Sequence, residues 1–481
     1  MIRPLASPTP NPFSYALTTL AIASLAACSS WLGFDDVEFE SAAGNGGSGG
    51  LGNTGGVAGQ SGSGGSAGAT GGEGGNGGTG ATAGIAGSAG DSGVGGSATG
   101  GAAGTAGSAG GPAGNGGGAG CVAVPESPLP CSTPLADRIR RTSIPGAAYS
   151  EVFLSPQPSG CSKMAWLSNG TIQVTPLDGA DQPFSQVAST QGSQIRGLVA
   201  HDDGSAVLVV RDDKMVLVRL AANGLAQFEN IIVGGNSHQA EGDRWIDNWP
   251  HEGRLAWSGS EYAAYFGHTG NWGSQGNHQG DRLEIIDATG NGGGGGWGWG
   301  CSHSLDVRIA HNIQRFGPVC LSDCYPGKGI YFDHHTLVSD EPSGNCIGGS
   351  NARLGGLAAV DGGFWLTYSS SEGRASSDIA LVHIDDAGAV SPPQWLTNTD
   401  SEQEKFAYLA RYGSGLLAAF ESGGQRQFVV LDASATVTEG PVPLDVPLPT
   451  GADMVTFPNG DVGWGSTDGY GLTVVRVKRC Q

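Results

Sequence analysis

Short apolar runs dominate the chain from Cys121 onward, many alternating apolar with polar residues and separated by Gly, Asp and Asn turns. No long stretch carries the 3.6-residue period of an amphipathic helix, so the pattern predicts strands. One unit recurs: a strand, a tight turn, a second strand, and a third that ends in an apolar residue followed by Asp or a turn. It is seen in "RGLVAHDDGSAVLVVRDDKMVLVRLAANG", in "GGLAAVDGGFWLTYSS" with "IALVHIDDAG", and in "FAYLARYGSGLLAAFES" with "FVVLDASA". "GRLAWSGSEYAAYFG" with "LEIIDATG" repeats it with a long insertion, and "ADMVTFPNGDVGWGS" with "GLTVVRV" ends the chain. First turns fall near Gly170, Gly204, Gly259, Gly362, Gly413 and Gly460. The double-length gap between Gly259 and Gly362 leaves room for a degenerate copy around "SLDVRIAHN" and "GIYFDHHT". About seven repeats of three or four strands predict an all-β fold, a β-propeller, over a pair of β-sandwiches or a β-helix.

Upstream the pattern is different. In residues 44–120 Gly falls at every third position from Gly44 to Gly80, broken at Asn53, and the period resumes with slipped phase. The collagen reading fails because Pro112 is the tract's one proline. With little to bury, the tract cannot offset its ordering entropy and predicts a disordered Gly-rich tether, spanning roughly 50 Å by random-coil scaling. A packed bundle of polyglycine helices is the alternative. The G-x-G-x-x-G matches there follow no strand and carry no nucleotide signal.

The first residues form an export signal: Arg3, then the apolar "YALTTLAIASLAA", too short to span a bilayer. It ends in Leu25-Ala26-Ala27-Cys28, which resembles the lipobox of bacterial lipoproteins. That resemblance implies cleavage before Cys28 and lipidation of it, with Ser29 implying an outer-membrane address. The expected layout is a signal over 1–27, a short segment over 28–43, the linker over 44–120 and an ectodomain over 121–481. The expected location is the bacterial cell envelope, with the membrane as partner through the lipid.

Eight cysteines remain after Cys28: Cys121, Cys131, Cys161, Cys301, Cys320, Cys324, Cys346 and Cys480. An even number in an exported chain predicts disulfides. Cys480 is expected to close the ring on Cys161 or another of the first three, and the central four to staple an insertion internally. A zinc site from those central four is the competing reading. The net charge of −21, without a basic cluster, argues against nucleic acid.

Candidate chemistry concentrates where the repeat is most interrupted. Eight of ten His lie between His238 and His335, and six of eleven Trp between Trp245 and Trp299. Within about 268–303, His268, His278, Asp281 and His303 are candidate ligands for zinc or copper. Trp272, Trp297 and Trp299 are candidate stacking faces for a carbohydrate, and Asp333, His334 and His335 form a second candidate group. "HEGRL" lacks the second His of a zinc-protease helix, and "GCSHS" lacks the second Gly of a nucleophile elbow. The leading expectation is a surface-anchored lipoprotein that binds a carbohydrate or protein ligand through this His/Trp/Gly-rich segment. A secreted metal-dependent hydrolase or lyase and a structural envelope protein are the alternatives.

Overall fold

A computed structural model describes residue 121 and residues 127–148, 150–233, 244–246, 252–271, 276–292, 294–303, 306–343 and 351–481. Cys28, the Gly-rich tract, Trp272 and Cys346 lie outside them. No helix among the described residues is long and apolar enough to cross a membrane.

The described residues form seven four-stranded antiparallel sheets, the blades of a β-propeller. Blade one covers 152–191, blade two 194–233, blade four 307–340, blade five 353–395 and blade six 405–443. Blade four is the degenerate copy expected in the double-length gap. Blade seven takes three strands from 455–477 and its outermost strand, Ile139–Ile144, from the start of the domain. This joins the two ends of the fold, and the ring order excludes the sandwich and β-helix alternatives.

Sequence composition follows position in the ring. The second and third strands of a blade are covered on both faces by neighbouring blades. Gly204–Arg211 and Lys214–Ala221 are therefore buried along almost their whole length and read as continuous apolar runs. Outermost strands meet solvent, so Ala226–Val233 and Val437–Pro443 are largely exposed. Between blades one and two the core is Phe153, Ala165, Val174, Ile195, Val207 and Val216; between six and seven it includes Phe428 and Trp464.

The innermost strands all begin at the same end of the ring, the upper face, where the turns between second and third strands also lie. Cys131–Cys480 and Cys121–Cys161 both sit at the lower face, by the first turn of blade one and the end of the last strand. Cys480 thus closes the ring on Cys131. Cys301–Cys320 joins two of the central four, as expected, and ties the segment after blade three, whose strands lie within 244–287, to the second strand of blade four. Cys324 is also disulfide-bonded. The four-cysteine zinc reading is therefore corrected, because a disulfide sulfur has no thiolate to give a metal.

Candidate functional site

Blade three holds most of the residues singled out by sequence. Its long hairpin pairs Glu261–Asn271 with Asn277–Asp287. The sheet's fourth strand is Arg244–Trp245, and the glycine-rich stretch that follows the hairpin is held along its outer edge by isolated bridges at Ile286–Gly292, Leu283–Trp297 and Gly280–Ser302. Two glycines explain its aromatic content. A Cβ on Gly280 would stand 2.6 Å from the Trp299 ring, and one on Gly300 would stand 2.7 Å from Trp297. Each indole fills the space of a missing side chain. Trp297 also meets Tyr265 edge-on at 5.4 Å, and Trp299 meets His268 at 5.4 Å. Both are half-buried.

The hairpin register separates the expected metal ligands. His268 pairs with Gly280 and His278 with Gly270, which puts both His on one face. Asp281 pairs with Gly267 and lies on the other face, where its Oδ2 accepts from the Tyr265 hydroxyl at 2.7 Å and the Cys301 amide at 3.2 Å. His268 is fully buried, with Nε2 3.2 Å from the Gly298 carbonyl. Among the described residues the one compact group of metal-type ligand atoms is Asp281 with Cys301 and Cys320, whose sulfurs are bonded to each other. The structure thus corrects the four-residue metal set: its members do not converge.

His303 does meet both a serine and an aspartate. However, Ser302 Oγ (2.9 Å) and Asp323 Oδ1 (3.1 Å) approach the same ring nitrogen, Nδ1. A serine-protease relay needs the two groups on opposite nitrogens, so this is not one. Asp333, His334 and His335 form a tight turn in blade four. Asp333 is ion-paired to Arg315, and His334 packs on Trp297 at 4.6 Å. Burial and the neighbouring His335 hold His334 down to about 4.

What converges instead lies at the upper ends of the innermost strands. Arg196, Arg254 and Arg308 occupy matching places in blades two, three and four. Arg196 bonds Glu151 at 2.9 Å. Arg254 Nε donates to Asp453 at 2.8 Å, and Arg308 Nη1 donates to Glu252 at 2.8 Å. Burial pushes the Asp453 carboxyl up, but Arg254 and Arg308 more than offset it and hold the group below its ordinary value. A repeated Arg at the start of "QIRGL", "GRLAW" and "DVRIA" was the available signal, visible once the blades are aligned against one another.

Beside this axial knot, blades six and seven part into an upper-face cleft of about 650 Å³. That size falls within the roughly 300–1,000 Å³ of ordinary small-molecule sites. Phe406, Tyr408, Arg426, Thr450, Ser466 and Thr467 are among the groups lining it. Phe406 is 53% exposed and holds φ at 54°, a left-handed backbone that bulky residues avoid. Tyr408 donates its hydroxyl to the Pro449 carbonyl at 3.1 Å, and burial pushes that hydroxyl up to about 12. Neither residue stood out in sequence, since an exposed Phe is indistinguishable there from a core residue.

No family model and no curated protein matches this chain. Among solved structures it is similar to a streptogramin B lyase, at 10% identity over 70% of this chain and 96% of that one, with a TM-score of 0.41. The CNH domain of AfRom2 matches at 12% identity over 71% of this chain and 100% of that one, TM-score 0.37. The β-propeller domain of the Trilobed protease from Pyrococcus furiosus matches at 9%, over 61% and 84%, TM-score 0.37. Likeness this distant carries no argument, and the fold stands on the seven sheets themselves.

Proposed function

We propose that the protein is a lipid-anchored binding protein of the bacterial envelope, held at Cys28, that takes its ligand in the upper-face cleft between blades six and seven. Phe406 carries this reading. Its ring is exposed at the cleft, held there by the bulge that opens the innermost strand of blade six, the kind of irregularity that re-aims a side chain. The lower-face disulfide Cys121–Cys161 supports it, because it fixes the start of the domain on the face opposite the cleft. Blade three is then a stapled scaffold, its Trp rings occupied by glycine backbone.

Two measurements test the two halves. Cells expressing the chain should yield lipid-labelled protein that needs detergent for release, and Cys28→Ala should yield soluble, unlabelled protein. Hydrogen exchange on the purified protein with soluble envelope extract should show protection confined to 405–408 and 447–451. Protection in blade three instead would return the ligand site there.

A further inference from the structure

We infer that the cleft between blades six and seven takes an uncharged oligosaccharide, one pyranose ring lying on the face of Phe406. This rests on reading the cleft as the ligand site and names the chemistry it selects.

The first support is the platform. Phe406 presents its ring to solvent at the start of the innermost strand of blade six. The Lys405 ammonium lies 5.2 Å from that ring and is itself tied to Glu421 at 3.2 Å, which fixes one side of the ring. A pyranose offers an apolar C–H face to such a ring and keeps its hydroxyls at the edge, the amphipathic match an aromatic plane favours.

The second is charge. The ionic groups at the rim are already matched: Glu421 with Lys405, and Arg426 with Asp445 at 3.6 Å. Asp468 accepts from the amides of Tyr470 and Gly471 at 2.9 and 2.8 Å. Glu421, Asp445 and Asp468 outnumber Lys405 and Arg426 by one, so the rim disfavours an acidic polymer, and one exposed carboxylate is a weak attraction for a basic peptide. The lining offers two short hydroxyls, Thr450 Oγ1 and Ser466 Oγ, which stand 3.3 Å apart. Hydroxyls act as both donor and acceptor, as sugar hydroxyls require.

The third is extent. The turn carrying Thr467 and Asp468 along the cleft has Tyr470 at its tip, 87% exposed. That ring is available to a second sugar, and the cleft volume suits an oligomer better than a single monosaccharide.

The test uses full-length protein purified in detergent, titrated calorimetrically with neutral tetrasaccharides of glucose, galactose, mannose and N-acetylglucosamine. At least one should bind with one-to-one stoichiometry, and Phe406→Gly should weaken it about tenfold or more. Glycine accepts φ near 54°, so this variant should unfold no earlier than the wild type. Saturation by none of the four, or binding that Phe406→Gly leaves unchanged, overturns the inference. Binding of an acidic oligosaccharide or a peptide that is lost in Phe406→Gly overturns the sugar class while leaving the cleft as the ligand site.

Discussion

Arg308 Nε and Asp453 Oδ1 stand 3.1 Å apart although they belong to blades four and seven, which are not neighbours in the ring. The contact therefore runs across the propeller axis. Arg254 of blade three joins the same carboxylate from another direction. This half-buried carboxylate is held by the charge of both guanidinium groups, which share Glu252 as a second partner.

Asp453→Asn should thus destabilise the protein by about 1–3 kcal/mol, because the carboxylate is partly exposed and Glu252 still faces both guanidinium groups. Arg308→Met should cost less in that background than in the wild type, since its contact with the Asp453 carboxylate is already gone while its pair with Glu252 is lost in both. Urea denaturation of both single variants and the double variant measures the coupling. Additive losses would mean that the two groups do not act on each other across the axis.

Ring closure gives a second expectation. Cys131–Cys480 spans 349 residues of sequence, whereas Cys121–Cys161 spans 40. Cross-linking stabilises mainly by restricting the unfolded chain, and the restriction grows with loop length. By chain entropy alone Cys131→Ser/Cys480→Ser should cost about 5–6 kcal/mol, and Cys121→Ser/Cys161→Ser about 4. Thermal unfolding of the two double variants would show the order, and a larger loss from the shorter loop would count against an entropic origin.

How much of this was legible in the sequence depended on whether the feature is local. Strand periodicity and turn glycines such as Gly204 and Gly460 are set by neighbouring residues, and they led to the propeller. The eight cysteines from Cys121 onward indicated cross-linking, and Cys480's position pointed to closure with the start of the β-rich region. The sequence did not reveal that Gly292, Trp297 and Ser302 bridge to the edge of the hairpin, because a run of glycines carries no alternation to read. Nor did it show that His268 and Asp281 lie on opposite faces, which follows from a register fixed only in three dimensions. The cleft was hidden for the same reason: Phe406 and Ser466 come from different blades.

The scaffold reading of blade three predicts two outcomes. Purified protein dialysed against zinc and then buffer should hold no metal that a His278→Ala/His303→Ala variant loses, as judged by elemental mass spectrometry. Gly280→Ala should be destabilising by about 1–3 kcal/mol, since the new methyl would stand 2.6 Å from the Trp299 ring in a packed interior. One equivalent of zinc lost in the double variant would restore the metal reading, and a neutral Gly280→Ala would show that the Trp299 packing is loose.

The lower face carries the protein's clearest pH response. His201 Nε2 lies 2.8 Å from the Tyr262 hydroxyl, and the imidazole meets the Trp257 ring edge-on at 5.0 Å. Burial lowers its pKa from 6.5 to about 4, with Arg219 and Lys163 pushing the same way and Asp203 and Asp202 opposing. Between pH 6.5 and 4 the unfolded chain takes up a proton at this position and the folded one does not. The stability from His201 is therefore fully present above pH 6.5 and is lost as the pH falls toward 4. His311 and His334 are shifted in the same direction and add to the slope. His201→Gln, which keeps a hydrogen-bonding group for Tyr262, should remove about 1 kcal/mol of the stability lost between pH 7 and pH 5, after allowance for solvent screening at the exposed edge of the ring. Denaturation curves of wild type and variant at those two pH values measure it. Equal losses in both proteins would mean that His201 is protonated in the folded state and that Tyr262 does not hold it neutral.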